Sequence, residues 1–186
     1  MKRIAIFASG NGSNFEALAA ACLDGTIAGE VALMVCDKPS AGVISRAERL
    51  GIKSLVLSPR DFESKADYEG VIVKALRAER VSLICLAGYM RIVGDTLLEA
   101  FEGQIINLHP SLLPAFKGAR AMEQALDYGV KIFGATIHYV DKELDSGRVI
   151  DQVAFRYEGH SIEQLEEMIH AVEHPLYISC VKRLIE

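Results

Sequence analysis

The sequence predicts an α/β fold: an open, mostly parallel sheet with helices on both faces and a further helix at the C-terminal end. Three observations carry this. Short runs rich in β-branched residues alternate with stretches of helical periodicity as far as Pro114, the pattern of strands joined by helical crossovers. One run, VSLICLAG (Val81–Gly88), is almost continuously apolar, as a strand covered on both faces should be. From Ser161 onward, apolar residues recur at Ile162, Leu165, Ile169, Val172 and Leu176, which is helical spacing.

In chain order, RIAIFA (Arg3–Ala8) is the first strand and NFEALAAACL (Asn14–Leu23) a helix. VALMVC (Val31–Cys36) is the second strand, and GVISRAERLG a helix ending at Gly51. KSLVL (Lys53–Leu57) is the third strand. It is followed by a longer helix over SKADYEGVIVKALRAER, which Ser64 can cap by accepting a first-turn N–H. VSLICLAG and QIINLH (Gln104–His109) are the fourth and fifth strands. KIFGATIHYV (Lys131–Val140) and RVIDQVAFRY (Arg148–Tyr157) read as a pair joined by the turn-rich DKELDSG. Pro175 lacks a donor inside the last helix and predicts a break or kink near Glu173 and His174.

The 186 residues, without repeats or a linker, suit one domain. A net charge of −5 and the absence of a basic run argue against a nucleic-acid partner. No apolar run is long enough for a membrane span. The N-terminus runs from a short apolar stretch into Gly and Asn, which suits a strand better than a signal peptide. Four well-separated cysteines, Cys22, Cys36, Cys85 and Cys180, read as reduced core thiols of a cytoplasmic protein, with no metal implied.

Two segments carry chemistry. SGNGSN (Ser9–Asn14) joins the first strand to the first helix. Its small residues and the free N–H groups of the helix start suit a monophosphate on Asn11, Gly12, Ser13 and Asn14; a tight turn with an Asn or Ser cap reads the same residues equally well. It is not a dinucleotide fingerprint, because Phe15 stands where the third glycine belongs, and it lacks the GK[ST] of a P-loop. The second segment is INLHPSLLPAFKG (Ile106–Gly118). Asn107 and His109 are two apart on a strand and so share a face. They lie at the carboxyl end, where open α/β sheets bind ligands. Pro110 and Pro114 stiffen the exit, and either Xaa–Pro bond could be cis. An amide and an imidazole converging on one point make an oxyanion site, for which Asp141, Glu143 or Asp145 could supply a carboxylate. The alternative is a turn-capping Asn beside a core His. GxSxG is absent, so direct attack by a substrate amine is more economical than a covalent route.

SGNGSN, LAGYMRI (Leu86–Ile92), NLHPSLLPAFKG and DKELDSG, in this order along nearly the whole chain, resemble the signatures of the folate-dependent phosphoribosylglycinamide formyltransferases. The resemblance implies a formyltransferase-type fold over 1–186. A nucleotide-phosphate half spans about 1–100, and a folate and catalytic half about 101–186. It implies formyl transfer from 10-formyltetrahydrofolate to the amine of glycinamide ribonucleotide, a step of purine synthesis, with no metal. Asn107 and His109 would then face the oxyanion, and Asp145 would keep His109 oriented and charged and assist proton transfer. The phosphate would lie on Gly12, Ser13 and Asn14, and Glu173 would contact the ribonucleotide. The folate would meet Lys65, Met90, Arg91, Ile92 and Val93 on one side and Val140 and Asp141 on the other, with Leu86 adding apolar wall. His138 would support the site. The implied partners are small molecules, in a cytoplasmic monomer or homodimer.

Three positions depart from the family pattern. Arg120 replaces a usual His and is expected to change the charge beside the site. Arg148 replaces a usual Pro and is expected to loosen the turn holding Asp145. Lys65 stands where some relatives carry Arg. His160, His170 and His174 read as surface or helix residues. Methionyl-tRNA formyltransferases share the NxHxSLLP core, but the acidic charge, the SGNGSN loop and a chain ending at Glu186, without their further C-terminal domain, favour the small substrate. A nucleotide sensor without chemistry is disfavoured by Asn107, His109 and Asp145, and an NAD oxidoreductase by Phe15.

Overall fold

Strand β1 (Lys2–Ala8) sits at the centre of the sheet because both its faces are apolar. Ile4, Ile6 and Ala8 point into one core, and Ala5 and Phe7 into another. The computed structural model describes all 186 residues. It places seven strands in the order β3-β2-β1-β4-β5-β6-β7. The others are β2 (Gly29–Cys36), β3 (Ser54–Val56), β4 (Leu83–Leu86), β5 (Ile105–His109), β6 (Ile132–Tyr139) and β7 (Val149–Arg156). Neighbours from β3 to β5 run parallel; β6 and β7 are antiparallel additions at one edge. The chain winds outward from β1 to β3, then returns to the other side of β1 with β4. The carboxyl ends of β1 and β4 therefore flank a topological switch point, where such sheets bind ligands.

One face of the sheet is covered by α1 (Ser13–Leu23), α2 (Val43–Arg49) and α6 (Ile162–Ile185), through Phe15, Leu18, Val43, Leu176 and Tyr177. The other is covered by α3 (Lys65–Ala78) and α4 (Asp95–Ala100), through Tyr68, Ile72, Leu76 and Leu97. A smaller core of Phe133, Tyr157, Leu165 and Ile169 seats α5 (Ala121–Tyr128). Ser64 caps α3 as expected, its hydroxyl accepting the Asp67 N–H at 3.0 Å.

Two helices escape sequence reading. Helix α4 is six residues long, too short to show a period. Its N-terminus is capped from a distance by the buried carboxylate of Glu69, which accepts the N–H groups of Gly94 (2.6 Å) and Leu97 (3.1 Å). Leaving such buried donors unpaired costs about 1–3 kcal/mol each. Helix α5 follows Arg120, which takes left-handed backbone angles (φ 56°).

Of the two outcomes expected at Pro175, a break does not occur: α6 runs continuously through it. The residues beyond the proline explain why. Leu176, Tyr177, Cys180, Val181 and Ile185 are buried, at about 1.5–3 kcal/mol per large apolar side chain. Together these outweigh the roughly 3 kcal/mol of an interior proline. The Tyr177 hydroxyl also donates to the Leu86 carbonyl at 2.9 Å, tying α6 to the end of β4.

Candidate active site

Register brings the site's side chains together. Phe7, Leu86, Asn107 and His138 are successive partners across β1, β4, β5 and β6. The segments after β1, β4 and β5 therefore leave the sheet along one edge. Ser9 straps the first two together: its N–H donates to the Gly88 carbonyl (3.0 Å) and its hydroxyl accepts the Met90 N–H (2.8 Å). Buried Ser9 opens the SGNGSN motif, but no local signal marks it as a strap.

The Asn107 carboxamide donates to His138 Nε2 (3.1 Å). His138 Nδ1 is committed to the Tyr139 carbonyl (2.8 Å), so Nε2 is free to accept. Burial pulls the His138 pKa below its ordinary value, which favours this neutral form. One Nδ2 hydrogen of Asn107 stays unspent, and Asn107 is half-buried where its strand neighbours are buried. His109 Nε2 donates to the Phe116 carbonyl (2.8 Å), and its Nδ1 lies 3.5 Å from Asp145 Oδ2. The other Asp145 oxygen is 3.8 Å from His138 Nε2. Asn107, His109, His138 and Asp145 thus form one cluster.

Backbone geometry around the cluster is tight. Phe116 (φ 54°), Arg120 (φ 56°) and Asp145 (φ 50°) are left-handed although none is glycine. Such angles cost of order 1–3 kcal/mol each and persist where surrounding contacts dictate them. Asp145 is held by accepting the Gly118 N–H (2.8 Å). The Leu113–Pro114 bond is cis. Arg148, expected to loosen the Asp145 turn, makes contacts of its own with Tyr139. Its guanidinium lies over the Tyr139 ring at 5.1 Å, and its carbonyl accepts the Tyr139 N–H (3.0 Å). Arg120 is mostly exposed and its guanidinium lies 3.5 Å from the Glu123 carboxylate.

The glycine loop meets α6. Gly12, not an Asn or Ser side chain, stands at the start of α1, at φ 81° with no side-chain cap. Asn14 Nδ2 donates to Glu173 Oε2 (3.1 Å), while Asn14 Oδ1 is buried without a partner. Glu173 is itself buried, not a solvated helix residue, and burial raises its pKa above the usual carboxylate value. His170 approaches it at 3.9 Å. His174, a helix residue as expected, stacks on His170 with a buried, unpartnered Nε2. Because Asn14 and Glu173 touch, a boundary near residue 100 runs through the site.

Lys65, Met90, Arg91 and Ile92 line a cleft of about 480 Å³, with Phe62, Tyr68 and Tyr89. Met90 and Ile92 are 69% and 63% exposed, so Met90 is not the core residue its hydropathy alone suggests. Arg91 Nε donates to the fully buried carboxylate of Asp37 (2.9 Å). Val93 and Val140 turn instead into the apolar core with Leu86 and Leu97. Asp141 accepts the Glu143 N–H within its own turn (2.9 Å). The cleft therefore gathers four of the seven residues expected on the folate side, and its lining does not reach Asn107, His109 or Asp145.

Residues 2–181 match the formyl transferase family. The chain is 50% identical over 186 residues to the phosphoribosylglycinamide formyltransferase of Bacillus subtilis (strain 168), covering all of this chain and 95% of that one. It is 40% identical over 176 residues to the trifunctional purine biosynthetic protein adenosine-3 of Drosophila melanogaster, covering 93% of this chain but 13% of that longer protein. Among solved structures, glycinamide ribonucleotide transformylase 1 from Geobacillus kaustophilus superposes with a TM-score of 0.97 at 49% identity, each chain wholly covered.

Proposed function

This chain belongs to the formyl transferase family, and from that membership we propose that it moves a formyl group onto the amine of glycinamide ribonucleotide in purine biosynthesis. The formyl donor in this reading is 10-formyltetrahydrofolate. The observation that carries the chemistry is the cluster of Asn107, His109, His138 and Asp145 at the carboxyl edge of the sheet, with an amide donor left unspent.

The substrate amine attacks the formyl carbon directly, and its carbonyl oxygen gains negative charge. Asn107 Nδ2 is the ready donor to that oxygen, oriented by the lone pair of neutral His138. His109 is the second donor, once the incoming oxygen shares or displaces the Phe116 carbonyl at Nε2. Asp145 orients His109 and relays the proton from the amine to the departing folate nitrogen, directly or through water. The N–H groups of Gly12, Ser13 and Asn14 hold the phosphate at the start of α1. Asn14 and Glu173 set the adjoining part of the ribonucleotide. The cleft along Lys65 and Met90–Ile92 takes the folate, with Val93 and Val140 backing it from the core and Asp141 shaping the facing loop. Every proposed contact lies within one chain, which suits a monomer or a homodimer. Four free cysteines suit a reducing, cytoplasmic setting.

Mixing the protein with glycinamide ribonucleotide and 10-formyltetrahydrofolate should change the folate absorbance in proportion to formylated product. Formylation of charged initiator tRNA alone would overturn the assignment.

Glu173 gives a prediction with opposite signs for stability and function. Its raised carboxyl pKa means that the folded state holds the proton more tightly than the unfolded one. That contribution is complete below pH 4.5 and is lost as pH rises through the folded value. Glu173→Gln, which cannot ionise, should therefore melt higher than the parent at pH 8, by a margin that shrinks toward pH 4.5. Its KM for the ribonucleotide should rise about tenfold, the scale of one lost charge-assisted hydrogen bond. Thermal melts at several pH values, with steady-state kinetics, test both halves. A lower melting temperature at pH 8 would show that the buried charge stabilises the fold.

A further inference from the structure

The glycine loop leans on α2. The Val43 N–H donates to the Gly10 carbonyl (3.0 Å), and the Val43 side chain fills the space beside Gly12, where an added Cβ would lie 2.5 Å from it. From the next turn of α2, Arg46 reaches back over the loop. Its Nε donates to the Asn11 carbonyl (2.8 Å) and its Nη2 to Asn11 Oδ1 (3.1 Å), while Nη1 pairs with Glu16. Arg49 pairs with the second oxygen of Glu16.

Glu16 lies in the first turn of α1. A carboxylate there complements the helix dipole, but it also competes with any anion bound at the same helix end. The two oxygens of Asn11 add further negative character beside the loop. Arg46 engages all three groups at once: the Asn11 carbonyl, the Asn11 carboxamide oxygen and the Glu16 carboxylate. Its guanidinium suits this task, since it presents several donors in a fixed fork that an ammonium lacks.

We infer that Arg46 is a positioning residue for the ribonucleotide: it fixes Asn11 and neutralises Glu16 so that the start of α1 can accept a phosphate. The inference rests on reading Gly12–Asn14 as the phosphate site, and the test separates the two.

Steady-state kinetics with each substrate varied in turn should be run on Arg46→Ala, Arg46→Lys and the double variant Arg46→Ala/Glu16→Gln. Inorganic phosphate serves as competitor against the parent protein. In Arg46→Ala the ribonucleotide KM should rise about tenfold, the scale of one charge-assisted hydrogen bond. The folate KM should stay within about twofold and kcat within about threefold, since Arg46 has no contact with the catalytic cluster. Arg46→Lys keeps the charge but not the fork and should recover little. Removing the Glu16 charge in the double variant should restore part of the loss. An unchanged ribonucleotide KM in Arg46→Ala, or an equal rise in both KM values with a lowered melting temperature, would overturn the inference. Phosphate should compete with the ribonucleotide and not with the folate. If it fails to do so while Arg46→Ala still raises only the ribonucleotide KM, the phosphate reading falls, and Arg46 stands as a ribonucleotide-side positioning residue.

Discussion

Asn107→Ala is expected to lower the rate of formyl transfer by about 100-fold or more while leaving ribonucleotide affinity close to that of the parent, the usual consequence of deleting one oxyanion donor. The geometry explains the separation. Asn107 lies on β5, which β4 separates from the strand carrying the glycine loop, and its carboxamide spends one hydrogen on His138 Nε2. The other has no protein acceptor. His109 is less free, because its Nε2 hydrogen already serves the Phe116 carbonyl. Asn107 is therefore the donor that needs no rearrangement, and its loss should be felt first in the chemical step. Single-turnover transfer at saturating substrates, with ribonucleotide binding by calorimetry, tests this. If Asn107 only satisfies His138, the variant will lose roughly 1 kcal/mol of stability and turn over within a few-fold of the parent.

The second large effect is expected from Asp145→Asn. General acid–base assistance contributes about 10²–10⁴ in rate, and a loss in that range should follow removal of the carboxylate charge beside His109 Nδ1. Asparagine is the informative replacement. It tolerates the left-handed backbone angles of this position, and its amide oxygen can still accept the Gly118 N–H that anchors the loop. The fold should survive, with a melting temperature within a few degrees of the parent. Asp145→Ala would lose the anchor and the charge together. A variant carrying asparagine and retaining more than about a fifth of parental turnover would remove Asp145 from the mechanism.

The strands were legible because their signal is local. β1 and β4 are apolar on both faces, and β5 ends in side chains that alternate as a pleat requires. Helices α1, α3 and α6 carried their period within their own residues, and α3 and α6 start at capping serines. What escaped reading depends on distant groups. Helix α4 exists because Glu69, on another helix, caps it. Helix α6 runs through Pro175 because five buried side chains beyond the proline outweigh its cost. At the site, the pairing of Asn107 with His138 comes from β5–β6 register, and that of Asn14 with Glu173 from packing of α1 on α6. Motifs flagged these residues without their partners. The carbonyl of Phe116, the strap at Ser9 and the reach of Arg46 have no sequence signal, since backbone groups and a surface arginine look alike everywhere. The contact of Arg148 with Tyr139 is equally non-local.

In the proposed mechanism the rim of β5 is built for a tetrahedral, oxygen-anionic species and not for the flat formyl group that precedes it. This is tested most directly by the ratio of two dissociation constants. One belongs to a bisubstrate analogue with a hydroxyl on a tetrahedral carbon at the transfer point, the other to its planar counterpart, each measured by calorimetry in the parent protein and in Asn107→Ala. A marked preference for the tetrahedral analogue in the parent, reduced about tenfold or more in the variant, is the expected result. The same preference in both proteins would contradict it.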